Sequence, residues 1–234
     1  MKSIILTPFG ILSAILFCAC ATDTEETVSA TGYASYYKSS GSDIGNMANP
    51  YDNIGLQYRN FLTAYKSGNF NADSFAAIQA IVQGLTNGTQ LLGAGGGTAT
   101  QELLSRCMNS PETALSLILE QSNLSQGGKD ALSGFINNYE NLSQEPFSLA
   151  YSEIVAMENA VSSSTTLPDY DQRVILTVAS ITRYSLYHSC CEDTDWKKSV
   201  GNIIAAVAGA MENDSCAIQY PLVTSIAGFE KIQF

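Results

Sequence analysis

The chain has 234 residues, a formal net charge of −11 and only 14% charged side chains, where soluble proteins average about 25%. An acidic chain repels the phosphate backbone of nucleic acids, and the sequence has no basic patch with interleaved aromatic residues, so the composition argues against nucleic-acid binding. At this length a single domain with one core is expected.

The N-terminal segment has the pattern of an export signal. A basic start, Met1-Lys2, precedes a largely apolar stretch from Ile4 to Phe17, which is shorter than the roughly 18–20 residues that span a membrane. The letters "LFCAC" at residues 16–20 resemble the lipobox of bacterial lipoproteins. In that motif, signal peptidase II cuts the chain before a cysteine that already carries a lipid. This resemblance implies a signal peptide over residues 1–19 and a lipidated Cys20. The alternatives are an ordinary secretory signal cut nearby and a metal clip, which Cys18 and Cys20 alone do not complete.

Residues 20–48 are rich in Thr, Ser, Gly and Tyr and lack apolar periodicity, which predicts a flexible tether between membrane and domain. "TDTEE", residues 22–26, resembles the acidic export signals of surface lipoproteins in Bacteroidetes. We therefore expect an outer-membrane lipoprotein, held by acyl chains such as palmitate, that faces the cell surface or the periplasm. Several acyl chains anchor a protein stably without a spanning helix.

From residue 49 onward, apolar residues recur at helical spacing. Asn49 is the predicted N-cap of the first helix, with Pro50 at its first position. Seven further helices are predicted in segments that begin near residues 71, 100, 110, 125, 146, 168 and 193. The glycine-rich stretch 84–101 is expected to form a loop or hairpin, and Tyr220–Phe229 a short strand or packed tail. The predicted fold is all-α: one bundle-like domain of about eight helices over residues 49–234.

Small residues recur every four positions in "GNIIAAVAGA", at Gly201, Ala205 and Gly209. This spacing lets helix backbones approach closely, and it predicts tight packing inside the bundle rather than a membrane span. Tyrosines such as Tyr58 and Tyr184 could form a platform for sugars, but helical spacing favours core packing with the hydroxyl groups at the surface.

Cysteines and the single histidine form the most concentrated chemical feature. The candidate disulfide or metal-ligating residues are Cys107, His188, Cys190, Cys191 and Cys216. Export would place the four thiols where disulfides persist, and they allow three pairings. In "HSCCEDTD", residues 188–195, soft and hard ligands are mixed, so a structural disulfide, a metal of undetermined identity and simple helix capping with reduced thiols all stay open.

No catalytic arrangement stands out in the sequence. A nucleophile would depend on His188 as its base, and there is no GxSxG motif. Carboxylate pairs such as Glu153 with Glu158, or Asp169 with Asp171, are not singled out by their spacing. The glycine run at residues 93–97 lacks the Gly-Lys-Ser/Thr ending of a nucleotide loop. No cofactor is expected.

Two short motifs suggest a relationship. "NPYDNIG" at residues 49–55 and "RYSLYHS" at 183–189, followed by Trp196 and a small-residue helix, resemble a loosely defined group of secreted helical Bacteroidetes proteins of unknown function. The resemblance implies export and carries over no activity. We therefore expect a non-enzymatic extracytoplasmic lipoprotein that binds a partner protein or glycan, with undetermined oligomeric state. The alternatives are a hydrolase of envelope polymer, and a metal or thiol-redox protein at Cys190 and Cys191.

Overall fold

The computed structural model describes residues 44–87, 99–189 and 196–232, although the side chains of residues 188, 189 and 196–198 fall outside this description. These ranges contain ten helices and no strand, so the predicted all-α class is confirmed and the predicted number of helices was too low. The helices are α1 (Asp52–Ser67), α2 (Phe75–Thr86), α3 (Gln101–Asn109), α4 (Pro111–Gln121), α5 (Gln126–Asn137), α6 (Tyr139–Gln144), α7 (Phe147–Ser162), α8 (Asp169–Ser189), α9 (Trp196–Glu212) and α10 (Asp214–Glu230).

Four of the described helices begin at a residue whose side chain caps them. The side chains of Ser74, Thr100, Ser125 and Asn213 each accept a hydrogen bond from a backbone N–H in the first turn of α2, α3, α5 and α10. Such caps satisfy amides that have no partner within the helix. Pro111 occupies the start of α4, where its missing N–H costs nothing.

The first helix begins later than predicted. Its N-cap is Tyr51, not Asn49. The Asn49 side chain instead accepts a hydrogen bond from the backbone N–H of Tyr51, at 2.8 Å, and so fixes a turn before the helix. Two residues before the predicted start of the domain are buried, since Ile44 is fully buried and Asn46 is 8% exposed. These two residues, which were assigned to the tether, therefore pack against the domain.

The C-terminal region contains a helix that the sequence pattern did not reveal. Tyr220–Phe229 lies within α10, and Pro221 stands inside that helix. Proline removes one helical hydrogen bond. A helix that is apolar on every side also has no periodicity to recognise. Residues 215–224, 226 and 227 are buried, so packing from all sides holds this helix in place.

The core is built around α8 and α10. Helix α9 packs along α10, and α1 lies against both α8 and α10. Helices α3 and α4 cover α9, while α7 covers α8 and α5 contacts both α8 and α9.

The predicted close packing of α9 is confirmed. A Cβ atom added at Gly209 would lie 2.2 Å from the carbonyl oxygen of Cys216, and one at Gly201 would lie 2.7 Å from that of Cys107. Glycine is thus required at both contacts of this helix with α10 and α3.

Candidate functional site

The predicted cysteine and histidine set is described only in part. Cys107 and Cys216 are buried and are not joined to each other. Burial raises the pKa of the Cys107 thiol to about 12, and the Cys216 thiol donates to a carboxylate oxygen of Glu212 at 3.4 Å. Cys20, Cys190, Cys191 and the side chain of His188 lie outside the described residues. Within the described part of the chain, no group of three or more His, Cys, Asp or Glu side chains could hold a metal ion.

Tyr58 and Tyr184 belong to the core, as predicted from their helical spacing, and so does Tyr65. Tyr58, Tyr65 and Tyr184 are at most 3% exposed. Their hydroxyl groups bond to Ser225, Glu230 and Asp52 respectively, so their ring faces are not available to stack on a sugar.

The carboxylate pairs considered from the sequence do not come together. Glu153 is exposed while Glu158 is buried, and Asp169 is exposed while Asp171 is buried. Asp171 accepts hydrogen bonds from the backbone N–H and the hydroxyl group of Ser125, at the start of α5. Its carboxylate therefore fixes the beginning of a helix.

A buried ionic group joins the N-terminal segment to α7 and α8. We call it the Arg183 cluster, and its members are Asn46, Asn49, Asp52, Glu158 and Arg183. The Arg183 guanidinium is completely buried. It donates to the backbone carbonyl of Ile44 and to the carboxylates of Asp52 and Glu158, the last at 3.1 Å.

Glu158 is held from several sides. The Asn46 side-chain amide donates to one carboxylate oxygen at 2.6 Å, and the Asn49 amide donates to the other at 2.8 Å. Burial by itself would lower the pKa of Arg183, but the nearby Glu158 and Asp52 charges outweigh it and raise that pKa. The guanidinium is therefore charged in the folded protein, and the cluster neutralises one of its two carboxylates internally.

The cluster unites the two motifs on which the family resemblance was based. Asn49 and Asp52 come from "NPYDNIG", and Arg183 and Tyr184 come from "RYSLYHS". The Tyr184 hydroxyl donates to Asp52 at 3.1 Å. The hydrogen-bonding atoms of Glu158 are occupied by protein groups, so this arrangement secures the chain and leaves little capacity to bind a ligand.

A second acidic region is open to solvent. A cleft of about 390 Å³ lies between α4, α5, α6 and α9, which is within the usual size of small-molecule sites. Its apolar floor is formed by Leu115, Leu119, Ile136, Val200 and Ile204. Glu112, Asn137 and Glu140 also line it, and all three are exposed. Among the side chains that the structure describes, the lining contains two glutamates and no lysine or arginine. The side chains of Lys197 and Lys198, which precede Val200 on α9, fall outside this description.

Sequence reasoning missed this cleft. Glu112 lies in the first turn of α4 and Glu140 in the first turn of α6, where acidic residues ordinarily complement the helix dipole. Each glutamate therefore looks unremarkable along the chain. Only the packing of four helices brings both to one cavity above an apolar floor.

Comparison of the chain with protein-family models, curated proteins and solved structures finds no match. Among the helices of the described ranges, none combines the length and the apolar character needed to cross a membrane.

Proposed function

We propose that this protein is a lipoprotein, anchored to a bacterial outer membrane through Cys20, whose helical domain binds another molecule of the envelope without transforming it. The expected partner is an envelope protein or a glycan. The cleft between α4, α5, α6 and α9 carries this proposal, because it is a concave site with an apolar floor and a few polar groups.

The membrane part of the proposal is supported by the apolar leader and by "LFCAC" at residues 16–20. It is tested by growing cells with labelled palmitate and isolating the protein. The label is expected on the wild-type protein and not on a Cys20→Ala variant. Protease treatment of intact cells then distinguishes the two faces of the outer membrane, since only a surface-exposed domain is cleaved.

The binding part is tested by site-specific cross-linking in intact cells. A photoreactive amino acid replaces Ser116, which is exposed and lines the cleft. A matched control places it at Ser152, which is exposed on α7 and does not line the cleft. A discrete adduct is expected from position 116 alone. Equal adducts from both positions, or none from either, would contradict a role for this cleft.

One observation favours the hydrolase as a second candidate, because two carboxylates line the same cleft. Glycoside hydrolysis uses such a pair, with one carboxyl group kept protonated by its surroundings. Glu112 and Glu140 are the two carboxylates in question, and both are exposed. Release of reducing ends from envelope polysaccharide that is lost in the Glu112→Gln and Glu140→Gln variants would establish the hydrolase instead.

The third candidate function, a metal or thiol-redox role at Cys190 and Cys191, concerns residues outside the described ranges. Metal analysis and thiol titration of the purified protein test it directly.

A further inference from the structure

The lining of the cleft indicates what kind of group it accepts. Leu115 and Leu119 stand one turn apart on α4, and Val200 and Ile204 stand one turn apart on α9. All four are at most 9% exposed, so they form a floor and do not project as an apolar patch. The recessed floor therefore suits a ligand with a narrow apolar stem that packs along it. It does not suit a ligand that must cover a broad hydrophobic surface.

The rim adds a charge requirement. Glu112 and Glu140 both line the cleft, and none of the lining side chains that the structure describes is cationic. The chain as a whole carries a net charge of −11, so its field attracts cations and repels anions. An anionic ligand such as a phosphorylated or carboxylated glycan would face repulsion at this site.

Arginine and lysine side chains combine these two properties. Each has an aliphatic stem that packs on apolar surface and a charged end that stays in polar surroundings. Arginine has a planar fork of donors that suits carboxylate oxygens, and Ser116, Ser133 and Asn137 supply further oxygen atoms in the same lining.

We propose that the cleft binds a basic side chain, preferably arginine, presented by a peptide segment of a partner protein. The stem would lie on the floor formed by α4 and α9, and the guanidinium would meet Glu112 and Glu140. This inference rests on the proposed binding function and specifies the chemistry of its partner.

The test uses the full-length protein in detergent micelles and fluorescence anisotropy of labelled peptides. One peptide carries an arginine between two leucines. Its matched control carries citrulline, which has the same shape without the charge. We expect the arginine peptide to bind at least about tenfold more tightly, because charge-assisted hydrogen bonds are the strong ones. Equal binding of the two peptides would overturn the proposal.

Variants locate the binding site. The double variant Glu112→Gln/Glu140→Gln is expected to weaken binding of the arginine peptide about tenfold or more. The matched double variant Glu120→Gln/Glu153→Gln removes the same charge from exposed positions outside the cleft and should leave binding within about twofold. Equal losses in both would show that only the overall charge attracts the peptide, which would overturn the proposal.

A third variant tests the cleft without removing an acidic group. Ser116→Arg places a guanidinium on an exposed lining position, where it should occupy the site and abolish peptide binding. Undiminished binding in this variant would contradict the proposed position of the ligand. If position 116 still cross-links in cells while neither peptide binds, the cleft binds a partner of other chemistry, and the proposed function stands without this inference.

Discussion

The Arg183 cluster and the cleft each contain two carboxylates, but the surroundings of the two pairs differ in burial and in charge. In the cluster, Glu158 is 1% exposed, and both carboxylates receive hydrogen bonds from a buried guanidinium. In the cleft, Glu112 and Glu140 are exposed, and no described side chain of the lining is a cation. The comparison teaches that an acidic pair becomes a stabilising element when the protein supplies the partner, and a candidate binding site when it does not.

The largest effect is expected from Arg183→Ala. This change leaves Glu158 buried beside Asp52 without a cation, and removing one member of a buried ion pair costs about 3–5 kcal/mol of unfolding free energy. The control is Arg106→Ala, because Arg106 forms an exposed ion pair with Glu102 at 2.8 Å, worth less than about 1 kcal/mol. Urea denaturation measures both. Equal losses would mean that the cluster stabilises no more than a surface pair.

The next largest effect is expected from replacing glycine by alanine, and its sign should differ between a position near the Arg183 cluster and one near the cleft. A Cβ at Gly55, where α1 meets α8, would lie 2.3 Å from Ser180 Oγ and 2.6 Å from the Ser180 carbonyl oxygen. Gly55→Ala should therefore cost about 1–3 kcal/mol through overpacking. Gly134 lies in α5 beside the cleft and has nothing within 4 Å of such an atom, so Gly134→Ala should stabilise by about 0.5–1 kcal/mol. Thermal melts measure both variants. A change in melting temperature of the same sign in both would contradict this prediction.

A smaller loss is expected from Tyr184→Phe. The Tyr184 hydroxyl donates to Asp52 at 3.1 Å, and a hydrogen bond to a charged group contributes about 1.5 kcal/mol at the lower end of its range. The variant keeps the ring and removes only the donor. Denaturant midpoints of the variant and the wild type, compared at neutral pH, measure the loss.

The same tyrosine predicts a dependence on high pH. Burial, and to a lesser extent the charge of Asp52, raises the pKa of Tyr184 to about 12. The pKa of a tyrosine in the unfolded chain is about 10. Because the folded state holds the proton more tightly, this contribution to stability is complete below about pH 10 and is lost as the pH rises toward 12. Tyr184→Phe should reduce this alkaline loss, and denaturation curves collected across that range would detect it.

The smallest effect on stability is expected in the cleft. Glu112→Gln and Glu140→Gln should each change the unfolding free energy by no more than about 0.5 kcal/mol, because exposed substitutions away from buried contacts are nearly neutral. A loss comparable with that of Arg183→Ala would show that these glutamates belong to the folded framework. The interpretation that Glu112 and Glu140 are available to bind a ligand would then be wrong.

Local signals in the sequence predicted much of the fold. The starts predicted near residues 100, 110 and 125 agree with helices that begin at Gln101, Pro111 and Gln126, because capping and proline preference act over a few residues. Gly201 and Gly209 marked close packing because their spacing matches the helix repeat. Helix α10 was missed because a helix buried on all sides has no polar face, and its internal Pro221 normally signals an end.

The site was less predictable, since it depends on contacts between distant residues. "NPYDNIG" and "RYSLYHS" were noticed as motifs, but nothing local showed that Asp52 and Arg183 form an ion pair across 131 residues. Glu112 and Glu140 belong to separate helices, and each resembles an ordinary first-turn acidic residue. Only the packed helices show which acidic residues share a space.

The attachment of residues 44–52 also has a consequence for synthesis. Ile44 is bonded to a residue 139 positions later, and Asn46 to one 112 positions later. As the chain emerges from the ribosome or the export channel, the end nearest the proposed anchor comes out first and must wait for most of its contacts. Contacts between residues that are far apart in the sequence form late in folding. We therefore expect that, in a chain truncated before residue 183, residues 44–52 do not pack against the domain and are cleaved by proteases.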